Sequence, residues 1–296
     1  MKPLKAPWPH FGGKSRVADV IWDRFGNVTT YIEPFAGSLA VLLARPHEPK
    51  FETVNDRDAY IANLWRSLKW DPDGVAEFAD WPNNEADIFA RHNWLARRAV
   101  FRERMCSDPE YFDIRVAGYW LWEAGLRIGS GAAIVPDHPG THSKPKNNPN
   151  GIHGLVFREQ YLENFRALSE RLRWVRVLCG DWSRCLTPVE IGTGLTGILL
   201  DPPYAGNEYV YAEQSAGCAH EVREWALANG DNPILRIALC GYREHEMPDS
   251  WTTYRWKAVG GYGNQGHGRG RENAELETIH FSPHCLKPMS LFDEAA

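Results

Sequence analysis

Positive charge is in short supply. The 296-residue chain carries 33 Lys and Arg against 38 Asp and Glu, a formal net charge of −5. A protein that grips phosphates over its whole surface would reverse that balance, so any such contact must sit in a local patch. Long apolar runs are also missing. No stretch approaches the roughly 20 residues that span a bilayer, and Met1-Lys2-Pro3-Leu4-Lys5 lacks the apolar core of a secretory leader. These absences predict a cytoplasmic protein without a membrane partner. Cysteines number six, at 106, 179, 185, 218, 240 and 285, with no C-x-x-C spacing. That excludes a zinc ribbon or a disulfide framework and points to a reducing compartment. His138, His142 and His153 lack paired ligand spacing, so no metal is expected. Two glycine signatures are incomplete: Phe11-Gly12-Gly13-Lys14-Ser15 lacks the Walker A spacing, and Tyr31-Ile32-Glu33-Pro34-Phe35-Ala36-Gly37-Ser38 is not G-x-G-x-x-G.

What is present is ordinary globular composition, 43% hydrophobic and 24% charged, with a high count of 13 tryptophans. Most of these suit the core; a few could stack on bases. The most informative stretch is Ile198-Leu199-Leu200-Asp201-Pro202-Pro203-Tyr204. A short apolar run ending at a breaker reads as a buried strand. Proline has no N–H and a fixed φ, so Pro202-Pro203 must end the sheet ladder. Asp201, the Pro202 carbonyl and the Tyr204 ring are thereby gathered at a strand's C-terminal edge, where open α/β sheets bind ligands. A carboxylate and a carbonyl are both pure acceptors, suited to a group with two N–H bonds such as an exocyclic amine. An adjacent ring offers a stacking face.

Upstream, Val17, Val20, Ile21 and Phe25 give a first helix its apolar stripe, with Ser15 as its expected cap. Tyr31 to Ser38 reads as strand, tight turn and helix start, with free N–H groups expected at Gly37 and Ser38. Phe51 to Val54 is a second strand ending at Asn55-Asp56. An acid there, about twenty residues past the glycine turn, can accept from ribose hydroxyls. Trp174 to Cys179 alternates like a strand and ends at Gly180-Asp181-Trp182, an acid beside an indole that could grip a purine. Further strands are expected over 234–240, 251–259 and 276–281. Between these halves lies a helical, arginine- and tryptophan-rich stretch broken at Asp71-Pro72-Asp73-Gly74, then a turn-rich loop over 129–154. Arg91, Arg97 and Arg98 in that stretch, Lys144 and Lys146 in the loop, and Arg269 and Arg271 near the end are candidate phosphate contacts.

The order Phe11-Gly12-Gly13-Lys14, Glu33-Pro34-Phe35-Ala36-Gly37-Ser38, Asn55-Asp56, Asp201-Pro202-Pro203-Tyr204 resembles the Dam-type (alpha-group) DNA adenine-N6 methyltransferases. The resemblance covers about residues 8–68 and 155–284. It implies an α/β fold: a Rossmann-like S-adenosylmethionine-dependent methyltransferase sheet with an inserted, mainly helical target-recognition region. The catalytic domain would comprise 1–69 and 155–296, the insert 70–154. The cofactor would be S-adenosyl-L-methionine and the partner DNA, with a restriction endonuclease left open. Carried over by position, His10, Phe11, Gly12, Gly13 and Lys14 flank the methionine end of the cofactor. Glu33, Pro34, Phe35, Ala36, Gly37 and Ser38 line its methionine moiety, Asp56 takes the ribose, and Asp181 with Trp182 takes the adenine. Asp201, Pro202, Pro203 and Tyr204 form the catalytic corner, with Asp201 also bordering the cofactor. The family pattern usually has an aromatic ring four positions before the lysine; here the residue is His10. The resemblance further implies that the target adenine is flipped from the duplex. The alternatives are cytosine-N4 methylation, whose amine the same acceptor pair could hold, RNA adenine methylation, and a non-catalytic nucleic-acid binder, against which the intact Asp201-Pro202-Pro203-Tyr204 and Lys14 count.

Overall fold

A computed structural model describes residues 4–8, 13–82, 84–127, 134, 136–137, 140, 158–192, 194–203, 212–242, 247–256 and 277–287. Seven strands form one sheet: β1 (Thr30–Glu33), β2 (Phe51–Asp56), β3 (Val175–Cys179), β4 (Thr196–Leu200), β5 (Leu235–Tyr242), β6 (Thr252–Arg255) and β7 (Glu277–Phe281). Their order is β3-β2-β1-β4-β5-β7-β6. The first five are parallel, with Ile32 beside Ile198 and Ile198 beside Ile237. β7 is antiparallel to both β5 and β6. Every residue of β1, β4 and β7 is buried, as required of central strands covered on both faces. The order reverses between β1 and β4, which leaves a crevice above those two strand tips.

Helices α1 (Ala18–Phe25), α2 (Ala40–Leu43) and α3 (Ala59–Trp70) follow the N-terminal loop and the first two strands. The insert supplies α4 (Pro72–Ala79), α5 (Glu85–Ala96), α6 (Ala99–Ser107) and α7 (Ile114–Ala124). Then come α8 (Arg158–Leu172), a 3-10 turn (Trp182–Cys185), α9 (Pro188–Ile191) and α10 (Ala212–Asn229). Local chemistry explains most of the starts. Asp58 accepts from Tyr60 N, Asn84 from Asp87 N and Asp113 from Val116 N, each satisfying an orphan donor of a first turn. Asp71-Pro72-Asp73-Gly74 is a junction and not a loop. Asp71 caps α4 through Gly74 N while Pro72 occupies the first turn, where its missing N–H costs nothing. The expectation for Ser15 is corrected: α1 begins at Ala18 with Val17 as its cap residue and no side-chain cap.

The expected boundary at 69/70 falls in the last turn of α3. Trp65 of α3, Val75 and Ala76 of α4, Leu95 of α5, Val116, Leu121 and Trp122 of α7 and Phe165 and Leu168 of α8 belong to one hydrophobic core. The helices of the expected insert therefore share one core with the helices and strands of the sheet layer. Strand β3 is a sheet edge, a liability for pairing with other chains. Three of its carbonyls accept from cations: Val175 from Lys69 Nζ, Val177 from Arg66 Nε and Cys179 from Arg184 Nη1. Among the described residues no helix is long and apolar enough to cross a membrane.

Helices α4 and α7 meet at Gly118. A Cβ there would stand 2.3 Å from Phe78 Cβ and 2.9 Å from the Val75 carbonyl oxygen. Gly118→Ala should therefore lower stability by about 1–3 kcal/mol through overpacking. An unchanged urea midpoint would show that the helices do not meet so closely.

Candidate active site

Strand β4 stops where Pro202 removes the next ladder donor, and Asp201 lies at its tip. Lys14 arrives from the N-terminal loop, one turn before α1, where its carbonyl accepts from Val17 N at 3.0 Å. Its Nζ is 2.7 Å from Asp201 Oδ2 and 3.9 Å from Glu277 Oε2, with side-chain exposures of 4%, 22% and 10% respectively. The ammonium also lies 5.9 Å from the centre of the Trp256 ring. Burial pulls the Lys14 pKa down, but Asp201, Cys240 and Glu277 together raise it above the ordinary value, so Lys14 stays protonated. Burial raises the Glu277 pKa, opposed by Lys14 and supported by Asp201. The Cys240 thiol on β5 is pushed well up by burial and then by Asp201.

The neighbouring tips are laced together. Asn55 Nδ2 donates to the Pro34 carbonyl at 3.0 Å and to the Gly180 carbonyl at 3.1 Å, joining the ends of β1, β2 and β3. Gly37 has φ 43°, which favours glycine. Its N–H donates to Asp56 Oδ2 at 2.9 Å, and its carbonyl accepts from Trp65 Nε1 at 2.9 Å. The free Gly37 N–H expected from sequence is thus corrected: Asp56 takes it. The other Asp56 oxygen accepts from Asp58 N at 2.8 Å. Burial, then the Asp58 charge, raises the Asp56 pKa to about 7. Glu33 is buried at the end of β1 and accepts from the Tyr31 hydroxyl at 3.0 Å. Burial raises its pKa to about 8, with Tyr31 opposing. Pro34, Ala36 and Gly37 are buried while Phe35 and Ser38 are partly exposed. Asp181 is exposed and caps the 3-10 turn through Ser183 N at 3.0 Å. Trp182 is buried edge-on to Trp225, so little of its ring is left to offer a ligand.

Gly13 and Lys14 are described, whereas His10, Phe11, Gly12 and Tyr204 lie outside the described residues. The structure therefore unites Lys14, the Glu33 to Ser38 turn, Asp56, Asp181 and Asp201 along one edge of the sheet. Asn55 was legible only as a strand-end residue. Its sole signal was a polar side chain beside an acid, and its bridging role needs the fold. Residues 10–120 match the family model of the D12 class N6 adenine-specific DNA methyltransferase. Over that stretch, which is less than half of its length, the chain is similar to this class. The match supports an S-adenosyl-L-methionine-dependent enzyme acting on adenine N6 in DNA. No curated protein matches it.

For a DNA-acting enzyme the insert's arginines matter, and they divide sharply. Arg91 is corrected: it is buried, donates to the Phe78 carbonyl and lies over Trp81, Tyr119 and Trp122 at 5.0, 4.2 and 4.6 Å. Arg98 is half-buried between Asp113 and the Trp94 ring. Arg97 is exposed, 3.4 Å from Asp137, and exposed Arg102 and Arg115 lie over Tyr60 and Trp94. Lys144, Lys146, Arg269 and Arg271 lie outside the described residues. Replacing Arg97, Arg102 and Arg115 by glutamine should flatten the dependence of DNA affinity on log salt by about one unit for each phosphate no longer neutralised. Arg91→Gln should instead lower thermal stability and leave that slope alone. The reverse pattern in a salt titration would invalidate the division.

The raised Glu33 pKa sets a pH dependence of the methyltransferase's stability. The folded state holds this proton more tightly than the unfolded chain, whose value is near 4.5. Its stabilisation is complete below that value and is lost as pH climbs through about 8. Asp56, raised from 3.8 to about 7, acts in the same direction. Glu33→Gln keeps a neutral group there and should reduce, without abolishing, the fall in urea stability between pH 5 and 8. Parallel curves for the variant and the parent enzyme would count against Glu33.

Proposed function

We propose that the crevice between the tips of β1 and β4 holds the cofactor and that Asp201 holds the amine of an extruded target adenine. The observation that carries this reading is Asp201 at the proline-terminated tip of β4, ion-paired with Lys14. The donor set suits a cationic ligand: Asp56, Asp181, Asp201 and Glu277 bring carboxylates to the same edge. Asn55 Oδ1 is a buried acceptor there with no hydrogen-bond partner. Bound there, S-adenosyl-L-methionine supplies an electrophilic methyl group on a sulfonium. Lys14 and the Gly37 turn border its methionine end. Asp56 keeps lone pairs beyond those used by Gly37 and Asp58, enough to accept from the ribose. Asp181 accepts from the adenine amine, in a pocket whose Trp182 wall is mostly covered.

The target base leaves the duplex because a stacked N6 cannot meet a donor. Asp201 and the Pro202 carbonyl accept from the two N–H bonds, and Tyr204 gives the base a stacking wall. Those bonds turn the nitrogen lone pair out of ring conjugation toward the methyl carbon. Transfer would form the C–N bond as the sulfonium's bond to its methyl carbon breaks and leaves a neutral thioether, and Asp201 would face the positive charge growing on nitrogen. The methylated amine then releases one proton to solvent. Arg97, Arg102 and Arg115 track the phosphates alongside.

Transfer of tritium from labelled cofactor to DNA tests the assignment. Asp201→Ala should reduce it by about 100-fold or more while cofactor affinity changes far less. Digestion to nucleosides should yield label only in N6-methyldeoxyadenosine. Undiminished transfer by the variant would remove Asp201 from the chemistry.

A further inference from the structure

Three strands bring acids or a thiol to one ammonium. Asp201 follows β4, Cys240 lies on β5, and Glu277 opens β7 opposite Tyr242 of β5. Of the two acids, Asp201 is the one in close contact with Lys14, at 2.7 Å; Glu277 Oε2 is 3.9 Å away, buried, and has no hydrogen-bond partner. Charge counting shows why that second acid matters. Lys14 and Asp201 together are neutral, so they offer no net field to a cation. The reaction carries one positive charge throughout, first on the sulfonium and then on the amine nitrogen. An ionised Glu277 makes the cluster net negative by one, which matches that charge. An ammonium lying on Asp201 also draws off carboxylate charge just where the amine must be stabilised.

We infer that Glu277 is a positioning residue, the second seat of the Lys14 ammonium, which leaves the Asp201 carboxylate and its charge to the target amine. The lysine stem is long and flexible, so Nζ can shift between two acids without moving the backbone. The inference rests on the assignment of Asp201 above. Burial alone would protonate Glu277, and Lys14 opposes this. The ammonium thus favours the ionised Glu277 carboxylate against burial and the Asp201 charge, which both raise its pKa. The Cys240 thiol and the Trp256 ring also face the pair, and the Asp201 charge reaches Glu33 on β1.

Single-turnover methyl transfer to a DNA duplex tests this. Glu277→Gln should slow the chemical step roughly 10- to 100-fold, as when a group holding a functional side chain in place is lost. Cofactor Kd and DNA KM should stay within about threefold of the parent. Glu277→Asp should recover part of the rate. In a Lys14→Met background, adding Glu277→Gln should cost nothing more, because the two residues act as one unit. A parent-like rate in Glu277→Gln overturns the inference. So does an equal rate loss with and without Lys14, or a loss of cofactor affinity that accounts for the whole rate effect. Should Glu277→Gln not fold, Glu277→Asp in both lysine backgrounds gives the same comparison. Asp201→Ala run in parallel separates the two readings: inactive with a normal Glu277→Gln, only this inference fails; active, the Asp201 assignment fails.

Discussion

A buried ammonium ties the two ends of this fold together. Lys14 comes from the loop before the first helix and Asp201 from the tip of the central strand, and they meet at 2.7 Å. Removing two such charges from water is costly, and the pair persists because further acids surround the cation. Asp201, Cys240 and Glu277 reach it from the ends of three different strands. The loop before α1 and the proline corner after β4 therefore form one electrostatic unit. Neither can be displaced without stranding a charge in the other.

The sheet makes that unit possible. Parallel strands running outward in both directions from β1 and β4 open a crevice at the reversal. Prolines end β4 there, and a left-handed glycine turn ends β1. Asn55 and Asp56 at the tip of β2 then hold the turns after β1 and β3, using side-chain amide and carboxylate where the sheet's backbone ladder has ended. Asp56 is thus a structural brace as well as a proposed ligand. The two roles are compatible because a carboxylate has more lone pairs than the two N–H donors consume.

Charge is used sparingly throughout. An acidic protein that acts on DNA must place its cations with care, and many of these are spent on the fold. Arg66 donates to backbone and side-chain acceptors on several segments from a buried position. Arg91 sits inside an aromatic cage, and Arg45 and Arg171 both bond Glu52. Among the described residues Arg97, Arg102 and Arg115 stay exposed, the last two over the rings of Tyr60 and Trp94. A few exposed cations suit local phosphate contacts better than a field over the whole protein.

Much of the architecture could be read from local chemistry. The apolar run before Asp201-Pro202-Pro203 had to be a buried strand ending there, since proline permits nothing else. The alternation over 174–179 and the stripe of Val17, Ile21 and Phe25 likewise decided their own elements. Motif order placed Lys14, Gly37, Asp56 and Asp201 in one family pattern. Side-chain partners were not legible, because they depend on which distant segment arrives alongside. Arg91 and Arg97 look alike in sequence, yet one is caged by three rings and the other exposed. Gly37 seemed to offer a free N–H until the second strand brought Asp56 against it. Trp182 seemed a wall until α10 supplied Trp225. Residue type and spacing determined which strand ends carry acids and turns. Only the packing of strands far apart in the chain decided which of those acids share a single buried cation, because desolvation and Coulomb attraction are set by distances that no linear pattern encodes.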